Sequence, residues 1–284
     1  MQLVYHKRRI SHIVGTAITY FLVVIALVFM LTPIIWLMST SLKSRSEMFT
    51  FPLRLIPTEF VWDNYVKIWR AIPFAAYLKN SLLMACYTTL VALVVSSLAS
   101  YAFSRYSLKG KNTVLNFILF SQMFPAVLLI IPIFIYIKKV GLLGSYTGLM
   151  ITYLTFVVPF ATWAMKNFFD TIPTDLEEAA MIDGCTRFQA MRRIILPVSR
   201  PGLISVSTYC FLTAWNEFIF AMILMTDQTR WTLPVGLAAL TSQYALDWGL
   251  LTAGGVISVV PAVLIMLVLQ RYLIAGLMAG AVKE

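Results

Sequence analysis

Hydrophobic positions gather into six long runs separated by polar connections, at about residues 13–38, 80–104, 112–137, 143–165, 201–226 and 249–270. A bilayer core is about 30 Å thick, and roughly 20 mostly apolar residues in a helix cross it. Each run is long enough. With no water to receive them, backbone polar groups inside the membrane must pair with one another, so the runs predict helices and not open strands. A large soluble helical core would need charged faces on its helices, and these runs have none. Glu217 is the only acidic residue well inside a run. The pattern predicts an all-α membrane protein with six transmembrane helices. No hydrophilic stretch is long enough to fold separately, so a single domain over residues 1–284 is expected. The first run is too long for the h-region of a signal peptide, about 7–15 residues, and no A-x-A-like site follows it, so it reads as a retained span.

Within the runs, some positions carry packing information. Ala92, Ser96, Ser100 and Ser104 recur every four residues and line one face of the second helix, where small side chains let another helix approach. Gly254 and Ser258 offer a weaker version in the last run. Pro125, Pro132, Pro159 and Pro261 are expected to kink helices or free carbonyls. The longest connection, residues 39–79, mixes prolines with Phe49, Phe51, Phe60, Trp62, Tyr65 and Trp69. It reads equally as a short interfacial helix at the headgroups or as a partner-docking surface.

Composition sharpens this picture. Of 284 residues, 60% are hydrophobic and 12% charged, against about 25% charged in soluble domains. The net charge of +10 does not mark a nucleic-acid binder, because the basic residues flank the runs and form no separate domain. With the amino terminus placed inside, 13 Lys and Arg fall on the inner side and 9 on the outer, the direction of the positive-inside rule. Cys86, Cys185 and Cys210 have no metal-type spacing and are odd in number, so neither a zinc site nor a disulfide framework is indicated. His6 and His12 read as solvated residues of the amino-terminal arm. The segment LKGKNT at 108–113 lacks the upstream glycine and the Ser/Thr of a nucleotide-binding loop. No catalytic motif is present.

One stretch departs from the greasy pattern. Between Asp175 and Arg193, seven of nineteen positions are charged. Thr174 and Glu177 have the spacing of a capping box, and Asp175, Glu177 and Glu178 put negative charge at the positive end of a helix dipole. Leu176, Ala179, Ala180 and Ile182 supply a small apolar face. Gly184 is a natural stop. Thr186 and Gln189 repeat the capping-box spacing and start a second helix carrying Arg187, Arg192 and Arg193, which ends at Ile195-Leu196-Pro197. A helix of two turns is marginal in water unless something packs on it. The stretch therefore predicts a helix-turn-helix ahead of the fifth span, either a well-capped loop or a docking element.

The spacing Glu178-Ala179-Ala180, three residues, Gly184, nine residues, Ile194-x-Leu196-Pro197 matches the EAA motif of ATP-binding-cassette (ABC) importer permeases at all seven specified positions. TAWNEFIFAMIL (213–224), TLPVGLA (232–238) and QRYLIAGLMAGAVKE (270–284) are similar to the carbohydrate-uptake branch. Nearly the whole chain resembles its smaller, six-span permease of the maltose-transporter type. The resemblance implies that the segment 170–200 forms cytoplasmic coupling helices seated in an ATPase cleft, with Glu178, Ala179, Ala180, Gly184, Arg187, Ile194, Leu196 and Pro197 as coupling residues. Both termini would then be cytoplasmic, in a prokaryotic inner membrane. It also implies a second homologous permease, two ATPase subunits that hold the ATP and Mg²⁺, and an extracellular solute-binding protein. The loop 227–247, with Trp231 and Tyr244, would face that binding protein, and the tail 271–284 would reach the ATPase pair.

Sugars are held by aromatic faces and by groups that give and accept hydrogen bonds. Trp215, Asn216 and Glu217 fit that chemistry, with Gln122 and Tyr153 as further path residues. A carboxylate inside a span costs about 2.5–3.5 kcal/mol and is expected to face protein or water. At 1.5 Å per residue Glu217 would lie roughly 24 Å beyond Pro201, so a contact between subunits stays open beside sugar binding. The sequence leads to a sugar-importing permease subunit without catalytic residues. A permease for a polyol or glycerol phosphate, or a stand-alone secondary transporter, is the alternative. The first would favour basic residues within the spans, and the second inverted repeats or ionisable relays.

Overall fold

The structure, a computed structural model, describes residues 2–107, 109–242 and 247–281, and side chains over 15–107, 109–241 and 247–269. Among the described residues every regular element is helical. In chain order these are α1 (Gln2–Ser41), α2 (Asp63–Ala71), α3 (Phe74–Arg105), α4 (Lys111–Phe120), α5 (Ile130–Lys139) and α6 (Tyr146–Asp170). There follow α7 (Asp175–Ile182), α8 (Arg187–Ala190), α9 (Leu196–Val198), α10 (Arg200–Trp215), α11 (Ile219–Leu224), α12 (Leu233–Ser242) and α13 (Trp248–Ala281). Gly15–Ser41, Phe74–Arg105, Tyr146–Asp170 and Trp248–Leu269 are long and apolar enough to cross a membrane, and two bent helix pairs bring the number to as many as six.

Two of the expected spans are not continuous. The run 112–137 forms two arms, Lys111–Met123 and Ala126–Lys139, meeting at 94°. Pro125 stands at the break with ψ 125°. Its ring removes a donor and holds Phe124 out of the helical region. Pro132 falls in the first turn of α5, where a missing N–H has no intrahelical partner to lose, and Pro159 and Pro261 lie inside helices that continue past them. The run 201–226 stops at Trp215 and restarts at Ile219.

The chain divides into two compact units, where the sequence offered one domain. The first takes Met1–Ile68 and Leu240–Ile257. In it the Ser41 and Tyr65 hydroxyls share a 2.7 Å hydrogen bond, and Asn64 Nδ2 donates to the Ser41 carbonyl at 2.9 Å. Lys43 is buried; its ammonium donates to the Arg54 carbonyl and lies 4.7 Å from the centre of the Trp36 ring. The connection 39–79 thus holds the short helix α2, while Trp62 stays 64% exposed. The apolar window of Gly15–Ser41 buries nothing inside the protein. Its side chains are left for lipid or another chain.

The second unit, Trp69–Ala239 and Ser258–Glu284, holds the main core. Here α3, α6 and α10 pack on one another. The small-residue face meets its purpose: Ala92, Ser96 and Ser100 are all fully buried, and Ser100 Oγ donates to the Thr162 carbonyl of α6 at 2.7 Å. Gly202 serves the same close approach from α10. A methyl group there would lie 2.5 Å from the Phe168 ring, inside van der Waals contact. Around these contacts Val157, Ala161, Met165, Phe169, Met191, Ile195, Val206 and Cys210 form one apolar cluster. The charged stretch is therefore tied to the core through Met191 and Ile195.

Candidate functional site

The charged stretch folds as α7, a turn, and a second helical segment. Its turn is a complete Schellman motif. The Gly184 N–H donates to the Met181 carbonyl at 3.1 Å and the Cys185 N–H to the Ala180 carbonyl at 2.9 Å. Gly184 takes φ +86°, which a residue with a Cβ adopts only at a cost. The capping box at Thr186 is present in full: the Gln189 N–H donates to Thr186 Oγ1 and the Thr186 N–H to Gln189 Oε1. After α8 the backbone widens into a π-helical turn, Met191–Ile195, before α9. From there the chain bends by 79° into α10. Ser199 lies at this bend, and its hydroxyl is buried without a hydrogen-bond partner.

The first capping box does not form. Thr174 takes a helical conformation and its side chain caps nothing. Glu177 instead turns inward. Its Oε2 accepts from the Tyr101 hydroxyl at 2.7 Å, and its Oε1 pairs with Arg105 Nε. Both side chains of the pair are 7% exposed. Arg105 also donates to the Ile172 carbonyl at 2.9 Å and to Ser104 Oγ at 3.2 Å, and Ser104 Oγ donates to Asp170 Oδ1 at 2.7 Å. Lys166 closes the chain on Asp170 Oδ2 at 2.6 Å. Arg187 adds a contact from the second helical segment, 5.4 Å over the Tyr106 ring. Tyr101, Arg105 and Glu177 were not singled out together from sequence. An arginine closing an apolar run was the available signal.

With Glu177 facing inward, the other charged groups of the segment face out. Glu178, Ala179, Gly184, Arg187 and Pro197 are exposed, Ile194 and Leu196 are half-buried, and Ala180 is buried. Ile182 is 86% exposed and Phe188 63%, so apolar surface flanks these groups.

At the opposite end of α3 the ties are neutral. Asn80 Nδ2 donates to the carbonyls of Thr229 (3.0 Å) and Trp231 (2.9 Å), while its Oδ1 accepts from the Tyr146 hydroxyl at 2.8 Å. Ser81 Oγ accepts from the Leu233 N–H at 2.7 Å. Arg230 donates to the Gly144 carbonyl at 2.7 Å. The Asp227 carboxyl, which accepts from the Thr229 N–H at 2.9 Å, is held below its ordinary range chiefly by that bond. Trp231 is half-buried and donates to the Met225 carbonyl at 3.1 Å. Tyr244 lies outside the described residues.

The expected path residues separate into two groups. Tyr153 and Glu217 line one cavity of about 230 Å³ with Ala126, Phe156, Thr213 and Phe220. Glu217 sits at the break after α10 and caps α11, accepting from the N–H groups of Phe220 (2.7 Å) and Ala221 (3.0 Å). The Tyr153 hydroxyl approaches this carboxylate without reaching hydrogen-bond geometry. Trp215 and Asn216 are not in this cavity. Trp215 is buried, stacked on Phe211 with ring centres 5.9 Å apart, and donates to the Ser258 carbonyl at 3.3 Å. Asn216 is exposed and its amide returns to the Leu212 carbonyl. Gln122 is exposed in the 3₁₀ turn before Pro125.

Comparison with known proteins places this architecture. Residues 92–278 match the family described as binding-protein-dependent transport system inner membrane component. The trehalose/maltose transport system permease protein MalG of Thermococcus litoralis is 38% identical over 256 residues, covering 89% of this chain and 91% of that protein. The inner membrane ABC transporter permease protein YcjP of Escherichia coli K12 is 37% identical over 259 residues, 90% of this chain and 92% of that one. Among solved structures, a chain of a bacterial ABC transporter involved in the import of the acidic polysaccharide alginate superposes with a TM-score of 0.79 at 24% identity. That match covers 92% of this chain and 96% of the other, a likeness of fold. An all-helical membrane chain with this match over most of its length belongs to the binding-protein-dependent transport system inner membrane components, the permease subunits of ABC importers.

Proposed function

We propose that the chain is the permease subunit of an importer that moves a di- or oligosaccharide into the cell by alternating access, driven by ATP hydrolysis on separate subunits. The observation that carries this reading is the segment 175–198: a helix ended by a full Schellman motif, and a second one started by a capping box, with Glu178, Ala179, Arg187, Ile182 and Phe188 turned outward. A short element this well defined, with charge and apolar groups both exposed, suits an ATPase cleft. Glu178, Ala179, Ala180, Gly184, Arg187, Ile194, Leu196 and Pro197 are then the coupling residues, and the ATP and Mg²⁺ belong to two partner ATPase subunits. Coupling requires an element biased from both sides, and this segment joins the outward surface to α10 through the 79° bend.

Sugar as the cargo is supported by the relatives, whose names include the trehalose/maltose system and the trehalose transport system permease SugB of Mycobacterium tuberculosis, 36% identical over 269 residues. A second, homologous permease and an external binding protein complete the assembly, with both termini of this chain on the cytoplasmic side. Tyr153 and Glu217 are the residues of this chain best placed toward a solute, with Gln122 at the break of the third span. Trp215 serves packing in this reading.

The test is ATP hydrolysis and uptake by the complete complex in liposomes, with binding protein, across a panel of sugars, polyols and glycerol phosphate. Stimulation by a di- or oligosaccharide is expected. Stimulation by a polyol or glycerol phosphate alone would replace the cargo, and uptake by this chain without an ATPase would overturn the reading.

A further inference from the structure

The acidic residue that turns inward from the charged segment has no role in the reading above. Glu177 is held by two residues of α3, Tyr101 and Arg105, with Arg105 bound also to the Ile172 carbonyl just beyond α6. Ser104, Asp170 and Lys166 extend the same chain of contacts along α6. The first helix of the segment is thus fastened to the ends of α3 and α6. By contrast the passage to α10 bends by 79° between Val198 and Arg200, flanked by Pro197 and Pro201, and the Ser199 hydroxyl there has no partner. One connection is stiff and the other is built to change angle.

We propose that Glu177 is a positioning residue for energy coupling: clasped by Arg105 and Tyr101, it makes α7 and α3 a single lever, so that movement of the segment tilts α3 directly while the bend at Ser199 absorbs the change in angle toward α10. This rests on the coupling role proposed above. The clasp suits the task because a charge pair removed from water holds its geometry only when both partners are present. The exposed residues of the segment remain free to meet the ATPase.

The experiment measures sugar taken up per ATP hydrolysed by the complete reconstituted complex carrying Glu177→Gln or Arg105→Gln. Expected is an assembled complex whose hydrolysis stays within about twofold of the parent while uptake per ATP falls about tenfold. A second arm replaces both residues by cysteine, with Cys86, Cys185 and Cys210 changed to alanine, and joins them with a short reducible thiol cross-linker. Uptake per ATP is expected to return on cross-linking and to be lost again on reduction. An unchanged ratio in the glutamine variants overturns the proposal. So does a parallel loss of hydrolysis and uptake, which marks the pair as a folding or docking contact. If the glutamine variants do not assemble, the cross-linked pair decides: a ratio indifferent to reduction overturns it. A parent complex with no ATP-driven sugar uptake would instead overturn the function proposed above.

Discussion

The two ends of α3 are both anchored, but by opposite chemistry. Near its start, Asn80 and Ser81 hold the connection 227–233 through amide, hydroxyl and backbone groups, all neutral. Near its end, Tyr101 and Arg105 hold α7 through a buried carboxylate. A neutral clamp loses its bonds one at a time. A buried ion pair keeps both partners or leaves an uncompensated charge, so its strength is collective. The neutral end is suited to fixing a loop, and the ionic end to holding two helices as one body.

Three substitutions sharpen this contrast. The largest effect is expected for Arg105→Ala, which leaves the Glu177 carboxylate buried beside Tyr101 alone. It should destabilise the purified chain by about 3–5 kcal/mol, read as a drop in the thermal or denaturant midpoint in detergent. At the other end, Asn80→Ala strands the Thr229 and Trp231 carbonyls and should cost about 1–3 kcal/mol in the same assay. The two sites are separated by 25 residues of helix, roughly 37 Å. The double variant should therefore show the sum of the single effects to within about 0.5 kcal/mol. A marked excess would mean that α3 transmits strain between its ends. The smallest effect is expected for Gly184→Ala, about 1–2 kcal/mol of left-handed backbone cost, because a Cβ there meets nothing within 4 Å. A larger loss would show that the turn has steric neighbours absent from this chain.

Local grammar was legible in the sequence wherever the partner lay a few residues away. The small face of α3, the Thr186–Gln189 box and the stop at Gly184 depend on spacings of three or four residues, and each can be read without knowing the fold. Glu177 shows where such reading stops. An acid three residues after a threonine satisfies the capping pattern, yet its true partner is 72 residues earlier in the chain, and nothing local ranks the two. Span continuity failed for a similar reason. Pro125 marked a kink, but a 94° turn depends on what the two arms pack against. No proline or glycine marks the break at 216–218. There the sign was Glu217 itself. A carboxylate inside an apolar run can start a half-helix by taking up its free N–H groups, and the sequence reading considered only solute or subunit contact for it. Trp215 was read for its sugar-like chemistry, whereas its indole packs on Phe211 and donates to the Ser258 carbonyl.

The wide turn at Met191–Ile195 carries a consequence for evolution and engineering. A π turn holds one more residue than the α-helical path it replaces, and each residue turns a helix by about 100°. Excising a single residue there would leave a smoother helix but rotate everything downstream, so that Ile195, now fully enclosed, would face outward. Length in this stretch is therefore under tighter constraint than composition: the segment should accept many side-chain exchanges and almost no indels.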